Sequence, residues 1–597
     1  MKHRLYIFIT LCLALMVASP SMEAQSKKNQ PKDFTVYGNV KSEKGIPLMG
    51  VEITVQDSFI NAISDENGDF NITIPTIGSV LVFYTQYYKE TTQTVTSSDY
   101  LQIIMYEAEA GQGARDVVNM PYWTTQKRNV TASLNTITWE DFDKAKVTDL
   151  GNALQGRVLG MTARLLAGNP GYESTTYLVR GNRTLNGNGT TNSLDLYCST
   201  DPLIIVDGFE REFGDLDPHE IESFSVLRDA AATSIYGNRG ANGVILVNTR
   251  RGETNKRTID FNYYEGVAQA VTMPDYVDSY TYAQWFNEAR INDGLAPTYT
   301  QEDLDHYKNG DSPLTHPNTN FYKEITNKFA PQRRASISMR GGNQVARYFV
   351  LFGYSYAESL FKTDLNPDYK TTYNQTKYNF RSNLDVNITK WLTLDVQFAN
   401  RVIEKHHPTM STSDVMVSAH NPANSYPISF YGIDPDLNKE IFMLGGDSLG
   451  SYQNNPIGIL NFGGYTERTY RYYQTGGHFR ADLSQFGLKG LSVEIGGDFD
   501  GYNYYNVEKS QTFKVWKYSQ GVDGEDIYQS YKTPTSLSTA TGYNIQRYWG
   551  LDGKITYTNT WGDHAFTAMA LYTQQRTELK QNNQPDRRYQ NFAGWVN

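Results

Sequence analysis

The chain has 597 residues and a formal net charge of −10, with 44 tyrosines, 27 phenylalanines and 48 glycines. Hydrophobic residues make up only 39% and the mean hydropathy is −0.54, which argues against a helical membrane protein. The negative charge argues against nucleic acid as a partner, because phosphate binding needs a basic surface. Abundant tyrosine and glycine are typical of a membrane β-barrel and also of a large secreted all-β protein.

The N-terminal segment, residues 1–25, has the organisation of a secretory signal peptide. Lys2 and Arg4 precede an apolar run over residues 5–17, and small residues follow before polar sequence begins. The run is shorter than the roughly 20 apolar residues of a spanning helix. Removal of this segment would leave Cys198 as the single cysteine, so no internal disulfide is expected. An exported chain without a spanning helix is either soluble or a barrel.

Residues 34–106 alternate apolar and polar positions in short runs that turn signals separate. This spacing predicts a small β-sandwich. Asp65, Asn67 and Asp69 occupy alternate positions in one turn, as they would in a calcium loop. No acidic residue stands at the twelfth position of such a loop, which favours an ordinary Asn-Gly hairpin turn.

Residues 107–132 lack strong periodicity and are predicted to form a linker. Within it, Asp116, Val117 and Val118 begin a short extended stretch flanked by flexible sequence. This is the form that a segment needs if it adds a strand to the sheet edge of another protein. A connecting loop without a binding role is the other interpretation.

Residues 133–252 are predicted to form a compact α/β domain. Helical spacing over residues 139–158 is followed by strands at "TTYLVRG", "PLIIVDG" and Ile221–Leu227. Asp229 then begins a short helix, and a glycine-rich turn over 237–243 precedes another strand. Glycines in such a turn indicate positive φ angles or close backbone approach. A phosphate-binding loop is not indicated, because neither Lys-Ser/Thr nor a helix start follows.

From residue 258 to the end the hydrophobic period becomes two over longer runs, and residues 253–597 are taken together as one predicted region. In the clearest hairpin, one face carries apolar residues and the other carries Arg381, Asn383, Asp385 and Gln397. About four residues join its strands, and roughly seventy irregular residues, 404–473, precede the next hairpin. Short turns that alternate with long loops, and strands apolar on one side, predict an antiparallel transmembrane β-barrel.

Taken together, the mature chain resembles the SusC-like (SusC/RagA-type) TonB-dependent outer-membrane transporters. The N-terminal segment is similar to the carboxypeptidase-regulatory-like domain of that family, and the linker to its TonB-box region, although Asn119 follows the two valines. The plug-domain match is the most specific, through "LVRGNRTLNG", "DPLIIVDG" and "IESFSVLRDAAATSIYGNRGANGVILVNTRRG". The plug-motif residues are Arg180, Gly181, Asp207, Gly208, Arg228, Asp229, Tyr236, Gly237, Arg239, Gly240 and Gly243.

This resemblance implies a mixed fold: an N-terminal β-sandwich, an α/β plug domain and part of an antiparallel transmembrane β-barrel. It implies import of a large nutrient across the outer membrane, most often an oligosaccharide, with a peptide as the alternative. The implied partners are the TonB–ExbB–ExbD complex, a SusD-like surface lipoprotein, the substrate and outer-membrane lipid. The N-terminal domain and linker would face the periplasm, and no cofactor is implied.

The end of the chain predicts a truncated barrel. "FAGWVN" resembles a mid-barrel segment of the family, and about eight or nine strand-like segments follow residue 258. Transporters with a plugged lumen use about 22 strands. The sequence is therefore expected to be a fragment or a prematurely stopped gene, without transport activity of its own.

Two other classes of function are weighed against import. A Gly-x-Ser-x-Gly match at Gly446, Ser448 and Gly450 would suit a hydrolase, but no helix pattern follows it. No histidine pair has metal-ligand spacing, so neither an enzyme nor a metal site is predicted. A surface adhesin would share the signal peptide and the β pattern, but would not need the plug-like segment.

Overall fold

The computed structural model describes most of the chain after residue 33. The described residues are 34–55, 60–74, 76–85, 88, 91–96, 100–106, 117–120, 123–126, 134–168, 173–181, 201–211, 213–254, 257–561, 564–579 and 587–596. The predicted signal peptide and Cys198 lie outside them. The chain divides into two compact units, Met1–Asp116 and Val117–Asn597, and each is described by itself.

The first unit is a two-sheet β structure. Its strands are β1 (Phe34–Ser42), β2 (Glu52–Val55), β3 (Asn61–Ile63), β4 (Asp69–Ile74), β5 (Val80–Tyr84), β6 (Thr91–Thr94) and β7 (Leu101–Met105). One sheet has the order β4-β1-β7 and the other β3-β2-β5-β6. Alternate residues of both sheets point into one core, which includes Val36, Ile53, Ile74 and Phe83.

The turn between β3 and β4 is a local hydrogen-bonded structure. The carboxylate of Asp65 accepts hydrogen bonds from the backbone N–H groups of Asn67 and Asp69, at 2.9 Å each. Gly68 has a φ of 78°, as the Asn-Gly turn requires. The side chain of Asp65 therefore organises the turn. The turn is local, as expected, but it is not a hairpin, because β3 and β4 lie in different sheets and do not pair with each other.

The second unit begins with a short hairpin formed by β8 (Val117–Met120) and β9 (Trp123–Gln126). Val117 pairs with Gln126 and Val118 pairs with Thr125. Among the described strands, β8 has no other partner than β9. Asp116, the first residue of the TonB-box candidate, lies outside the described residues.

An α/β domain follows, with a five-stranded sheet of order β10-β15-β16-β13-β14 and a separate β11–β12 hairpin. Its strands are β10 (Leu134–Thr138), β11 (Met161–Ala167), β12 (Ser174–Val179), β13 (Leu203–Val206), β14 (Phe209–Glu210), β15 (Ile221–Leu227) and β16 (Val244–Thr249). Its helices are α1 (Trp139–Asp143), α2 (Ala230–Thr233) and the 3₁₀ turns Leu150–Leu154, Pro218–Glu220 and Ser234–Gly240. Strands β13 and β16 run parallel and the other pairs antiparallel.

The predicted helix over residues 139–158 is two short helices instead. Helix α1 ends at Asp143, and a 3₁₀ turn begins at Leu150. Asp149 caps that turn by accepting a hydrogen bond from the N–H of Gly151 at 2.7 Å. Capping by Asp149 starts a new helical segment, so a single helix does not continue across it, while Leu150 and Leu154 still reach the core.

The rest of the chain forms one large antiparallel sheet. Its order is β17-β18-β19-β20-β21-β24-β25-β28-β29-β30, with β17 and β30 at the edges among the described strands. These strands are β17 (Thr258–Ala268), β18 (Ala330–Gly342), β19 (Ala346–Glu358), β20 (Asn374–Asn387), β21 (Leu392–Pro408), β24 (Gly464–Asp482), β25 (Leu491–Ser510), β28 (Ser538–Trp561), β29 (His564–Leu579) and β30 (Arg587–Val596).

At one end the connections between these strands are long and carry their own structure. They contain α3 (Ser279–Asn292), α4 (Gln301–Asn309), α5 (Phe321–Ile325), α6 (Thr412–Ser418), α7 (Pro456–Asn461), the hairpins β22 (Ser429–Asp434)–β23 (Lys439–Leu444) and β26 (Val515–Gln520)–β27 (Asp526–Tyr531), and the 3₁₀ turn Gly450–Gln453. The other end has short turns, one with the 3₁₀ turn Leu483–Phe486. In the described part of the chain, no helix is both long enough and apolar enough to cross a membrane.

Two sequence predictions for this region are wrong in detail. In the described part of the chain the sheet has ten strands, not eight or nine. The segment 404–473 is not irregular throughout, since β21 continues to Pro408 and β24 begins at Gly464. Tyr470 and Tyr472 sit inside β24, where a run rich in tyrosine and arginine hides the period of two.

The two faces of the large sheet differ in polarity. The inner face, defined as the face that packs on the α/β domain, carries the buried polar residues of β20 and β21. The outer face carries exposed apolar residues from most strands. They include Phe261, Ile337, Phe352, Leu384, Phe398, Phe479, Ile495, Leu551 and Phe592. The period of two thus divides each strand between a polar and an apolar environment.

The first unit offers a test of its core through adjacent residues of β5. Phe83 is fully buried, whereas Tyr84 is 45% exposed. We expect Phe83→Ala to destabilise this unit by about 3–5 kcal/mol, because a large cavity replaces the ring. Tyr84→Ala should change its stability little. Thermal unfolding by calorimetry measures both, and equal shifts for the two variants would contradict the assigned core.

Candidate functional site: the polar contact between the α/β domain and the large sheet

The contact is built on β20, where alternate residues face the α/β domain. Lys377, Asn379, Arg381 and Asn383 are all buried on this face. The alternation of a β-strand places them in one row, while the residues between them point to the outer face. Buried polar groups on this scale require partners, and the α/β domain supplies them.

Arg381 is the centre of the row and is fully buried. Its Nε donates to the carboxylate of Glu220 at 2.7 Å, and its Nη1 lies 3.3 Å from the carboxylate of Asp207. Glu220 also accepts a hydrogen bond from Asn379 at 2.9 Å. A buried guanidinium between two carboxylates is stable only in this paired state, because an unpaired buried charge is strongly destabilising.

The α/β domain holds both carboxylates in fixed positions. Asp207 has a positive φ of 52° in the turn between β13 and β14, and accepts hydrogen bonds from the N–H and hydroxyl of Thr249 at 2.8 and 2.7 Å. Glu220 closes a capping box at the 3₁₀ turn with Asp217, whose N–H donates to it at 3.2 Å. Both acids are therefore oriented before they meet Arg381.

Neighbouring residues extend the contact along β20. Lys377 donates to the carboxylate of Asp215 at 2.6 Å, and Asn383 donates to the carbonyl of Arg250 at 2.7 Å. Burial opposes ionisation of Asp215, but the charges of Lys377 and Arg401 outweigh it and hold its pKa at about 2. Asp215 of the α/β domain is therefore ionised at neutral pH, where it faces Lys377 of β20 and Arg401 of β21.

Arg211 makes a second contact, with β25. Its Nε and Nη2 bind both carboxylate oxygens of Asp500 at 2.8 Å, and Nη2 also donates to the carbonyl of Thr475 at 3.2 Å. This two-point geometry suits a planar guanidinium and fixes the orientation of the pair. The guanidinium is buried, and its ring contact with Phe209 spans 5.2 Å.

Arg239 makes a third contact, with β29 and β30. It pairs with Glu210, donates to the side chain of Gln575 at 2.5 Å, and lies 4.7 Å from the centre of the Tyr589 ring. On the same side, apolar residues of β13 and β16 pack against Met569 and Leu571 of β29. The α/β domain is therefore held by charged contacts towards β20, β25 and β30 and by an apolar contact at β29.

Most of the predicted plug-motif residues fall into two groups. The first group lies at the contact with the large sheet. Asp207 forms an ion pair with Arg381 of β20, and Arg239 forms one with Glu210 of the α/β domain. Gly208 lies beside the ring of His478. The carbonyl of Tyr236 accepts a hydrogen bond from Tyr589 at 3.2 Å, and Gly237, with a φ of 59°, lies against the same strand.

The second group stabilises the α/β domain itself. Arg228 donates to the carbonyl of Leu159 at 2.8 Å, and Asp229 caps α2. Gly243 has a φ of 93°, and a Cβ there would lie 2.8 Å from Val179. The remaining motif residues are Arg180 and Gly181, both exposed with positive φ after β12, and Gly240, packed on Thr233.

Several residues of the contact were not singled out from the sequence as site residues. They are Arg211, Asp215, Glu220, Lys377 and Asp500. The available signal was the charged residues at alternate strand positions, which predicted a polar face but not its partners.

A group of possible metal ligands also lies on the inner face. His478, Glu494 and Asp552 each present one ligand atom within 4.8 Å of the others. Glu494 is bound by Arg480 at 2.7 Å and by Lys554 at 3.1 Å. These two cations already neutralise the carboxylate, so the geometry is that of an ion-pair network.

Arg381 provides a test of the polar contact. We expect Arg381→Met to destabilise the second unit by about 3–5 kcal/mol, because Glu220 and Asp207 lose their buried cation. The matched control is Arg333→Ala, which removes an exposed ion pair with Glu265 on the outer face and should have little effect. Urea unfolding followed by tryptophan fluorescence measures the difference. Equal midpoints for the two variants would contradict the central role of Arg381.

Asp149 provides a test by pH. Burial raises its pKa from 3.8 to about 6, so the folded chain keeps a proton there that the unfolded chain releases. The carboxyl group of Asp149 therefore lowers the free energy of unfolding progressively as the pH rises from about 4 to about 6. We expect Asp149→Asn, which keeps the capping acceptor, to gain roughly 1–2 kcal/mol over the parent at pH 8 and little at pH 4.

The measurement is the urea midpoint of parent and variant at both pH values. Asp229→Asn, at the N-terminus of α2, controls for exchanging a carboxylate for an amide at a helix cap. If the increase in urea midpoint caused by Asp149→Asn is no larger at pH 8 than at pH 4, burial is not what raises the pKa of Asp149.

The sequence and the fold of this chain are similar to those of known proteins. Residues 126–244 match the TonB-dependent receptor plug domain family. The chain is similar to TonB-dependent receptor P3 of Formosa agariphila, with 25% identity over 594 residues, which cover 97% of this chain and 50% of that protein. It is also similar to TonB-dependent receptor SusC of Bacteroides thetaiotaomicron, with 24% identity over 405 residues, which cover 65% of this chain and 36% of SusC.

Among solved structures, one of the RagAB peptide transporter has a TM-score of 0.55 at 19% identity, covering 78% of this chain and 52% of that chain. This likeness shows a common fold. The chain spans half the length of the P3 receptor and about a third of the length of SusC. The chain therefore contains a region that matches the TonB-dependent receptor plug domain, packed on the inner face of an antiparallel barrel sheet, and as a whole it is similar to SusC-like TonB-dependent receptors.

Proposed function

We propose that this chain belongs to a transporter that imports a large nutrient, an oligosaccharide, across the outer membrane in a TonB-dependent manner. The observation that carries the proposal is the buried contact centred on Arg381, Glu220 and Asp207. It seats a separate folded domain on the polar face of a sheet whose other face is apolar. A domain held in this way can obstruct a passage at rest and can be displaced when a force is applied.

The outer face supports a location in the outer membrane. Exposed apolar side chains such as Phe261, Phe479, Ile495 and Phe592 come from strands across the sheet. A soluble protein rarely exposes contiguous apolar surface on this scale, whereas lipid requires it. The long, structured connections would face outwards and the short turns would face the periplasm, as is usual for such barrels.

The hairpin β8–β9 supports coupling to TonB. Strand β8 contains Val117 and Val118 and pairs on one side with β9. Its other side has no partner among the described strands, so a strand of TonB can add to it by backbone hydrogen bonds. Energy would come from the inner-membrane proton gradient through TonB–ExbB–ExbD, and no bond of the substrate would be made or broken.

The substrate and the outer partner come from the relatives. SusC-like receptors suggest an oligosaccharide and a SusD-like surface lipoprotein. RagAB is a peptide transporter, which makes peptide import the second candidate within the same fold. An adhesin is less well supported, since adhesion alone gives no reason for a plug domain with ion pairs to β20 and β25.

Capture by the C-terminal domain of TonB tests the coupling. We expect the double variant Val117→Pro/Val118→Pro to lose capture, because proline has no N–H and successive N–H groups serve opposite strand edges. The matched control is Thr124→Pro/Thr125→Pro in β9, which disturbs the same hairpin but leaves the TonB-box candidate intact. It should retain capture in a pull-down from detergent-solubilised membranes.

Two results would contradict this assignment. If the parent chain is not captured at all, TonB coupling through this linker is wrong. If the β9 variant loses capture and the β8 variant retains it, the box lies elsewhere in the linker.

A further inference from the structure

A cavity of about 240 Å³ lies among the long connections of the large sheet, beside the ends of β17, β18 and β19. Gln269 directly follows β17, Lys328 lies two residues before β18, and Leu360 lies two residues after β19. We name this cavity the basic pocket, because the charged residues that line it are Lys323 and Lys328. Its volume is below the roughly 300–1,000 Å³ of sites that enclose a drug-sized molecule, so it suits a single chemical group.

Backbone hydrogen bonds fix the walls of the basic pocket. The N–H of Asn327 donates to the carbonyl of Leu360 at 2.6 Å, and the N–H of Lys362 donates to the carbonyl of Ile325 at 2.8 Å. The ammonium group of Lys362 donates to the carbonyl of Lys323 at 3.2 Å, so a third cation lies beside the pocket. The segment before β18 is therefore tied to the segment after β19, and the pocket is formed before a ligand arrives.

The positive charge of the basic pocket is not neutralised within the described part of the protein. There, no acidic side chain forms an ion pair with Lys323, Lys328 or Lys362. Elsewhere in the long connections a lysine can be paired, as Lys517 is with Asp447 at 2.8 Å. Ammonium groups that share one small pocket repel one another, and an anion bound between them replaces that repulsion by attraction.

The outer face of the sheet indicates the level of the basic pocket relative to a membrane. Tyr263, Tyr354 and Tyr378 form a row across β17–β20, and the first and last are 60% and 37% exposed. Rows of outward tyrosines are typical of the boundary between lipid tails and headgroups. Two residues nearer the pocket, Glu265 and Arg333 form an exposed ion pair at 2.8 Å. The pocket lies beyond this pair, on the headgroup side of the boundary.

Lys328 connects the basic pocket with the outer face. Its ammonium group lies 5.3 Å from the centre of the Phe329 ring, which is 49% exposed. A lysine beside an exposed aromatic ring suits a lipid, because the headgroup can bind the ammonium group while apolar parts of the lipid pack on the ring. A small soluble anion would use only the lysine. The position of the pocket therefore favours a lipid as the source of the anion.

We propose that the basic pocket binds a phosphate group on the headgroup of an outer-leaflet glycolipid, which rests on the outer-membrane location in the proposed function. A phosphate group carries up to two negative charges and several acceptor oxygens, so Lys323 and Lys328 can bind it together. The amide side chains of Gln269 and Asn327 line the same pocket and supply N–H donors. The bound lipid holds the connection between β17 and β18 at the membrane surface.

The test is titration of the full chain in detergent with diphosphoryl lipid A, followed by native mass spectrometry. We expect the lipid to bind, and Lys323→Gln/Lys328→Gln to raise its Kd about tenfold, equivalent to about 1.4 kcal/mol. Lys323→Arg/Lys328→Arg should bind like the parent, since both charges remain. Lipid A without its phosphate groups should bind the parent about as weakly as diphosphoryl lipid A binds the glutamine variant.

The opposite end of the same sheet provides a matched control. Lys390 and Lys489 are exposed in the short turns that precede β21 and β25. Lys390→Gln/Lys489→Gln removes two positive charges there and should leave the Kd unchanged. Inorganic phosphate should bind more weakly than diphosphoryl lipid A, because it cannot pack on Phe329.

Four results would overturn the inference. They are the absence of binding by diphosphoryl lipid A, equally tight binding of the lipid without phosphate groups, equal effects of the two glutamine variants, and binding of inorganic phosphate as tight as that of the lipid. In the last case free phosphate is the ligand. None of these results touches TonB capture, by which the import function is tested, so the two failures are distinguishable.

Discussion

The second unit depends on one constraint: a buried charge must have a buried partner. Arg381 has no exposed surface, and Glu220 and Asp207 are its only anionic contacts among the described residues. The barrel strand carries the cation and the plug domain carries both anions. Neither surface is therefore satisfied alone, and each needs the other to avoid an uncompensated charge in a low-dielectric environment. The constraint fixes which face of the plug meets β20.

The same constraint makes the contact suitable for separation. Ion pairs and hydrogen bonds can be exchanged for water when a passage hydrates, because water replaces the lost partners at small net cost. A wholly apolar contact has no such substitute. The apolar patch lies at Met569 and Leu571 of β29 and Ala593 of β30. Arg381, Arg211 and Lys377 hold other parts of the contact through charges. Under the proposed function, a pull on the linker would then meet interactions that water can replace.

The sequence predicted the architecture well because its signals are local. The period of two placed Arg381, Asn383 and Gln397 on one face of the strand hairpin, and all three are buried there. Pairing across the plug contact was beyond sequence reasoning, because Arg381 and Glu220 are 161 positions apart and nothing local links them. The helical pattern after Trp139 failed for another reason, since the capping side chain of Asp149 starts a new turn despite correct apolar spacing.

Tyrosine shows why composition alone could not assign side chains to the two faces of the large sheet. Tyr472 and Tyr473 are adjacent, yet the first lines an internal cavity and the second is exposed on the outer face. The residue type is the same, and the strand period alone assigns one ring to the interior and the other to the outer face. Abundant tyrosine therefore has at least two causes in this fold. Which tyrosines face the interior depends on the register of β24 and β25, and that register requires the structure.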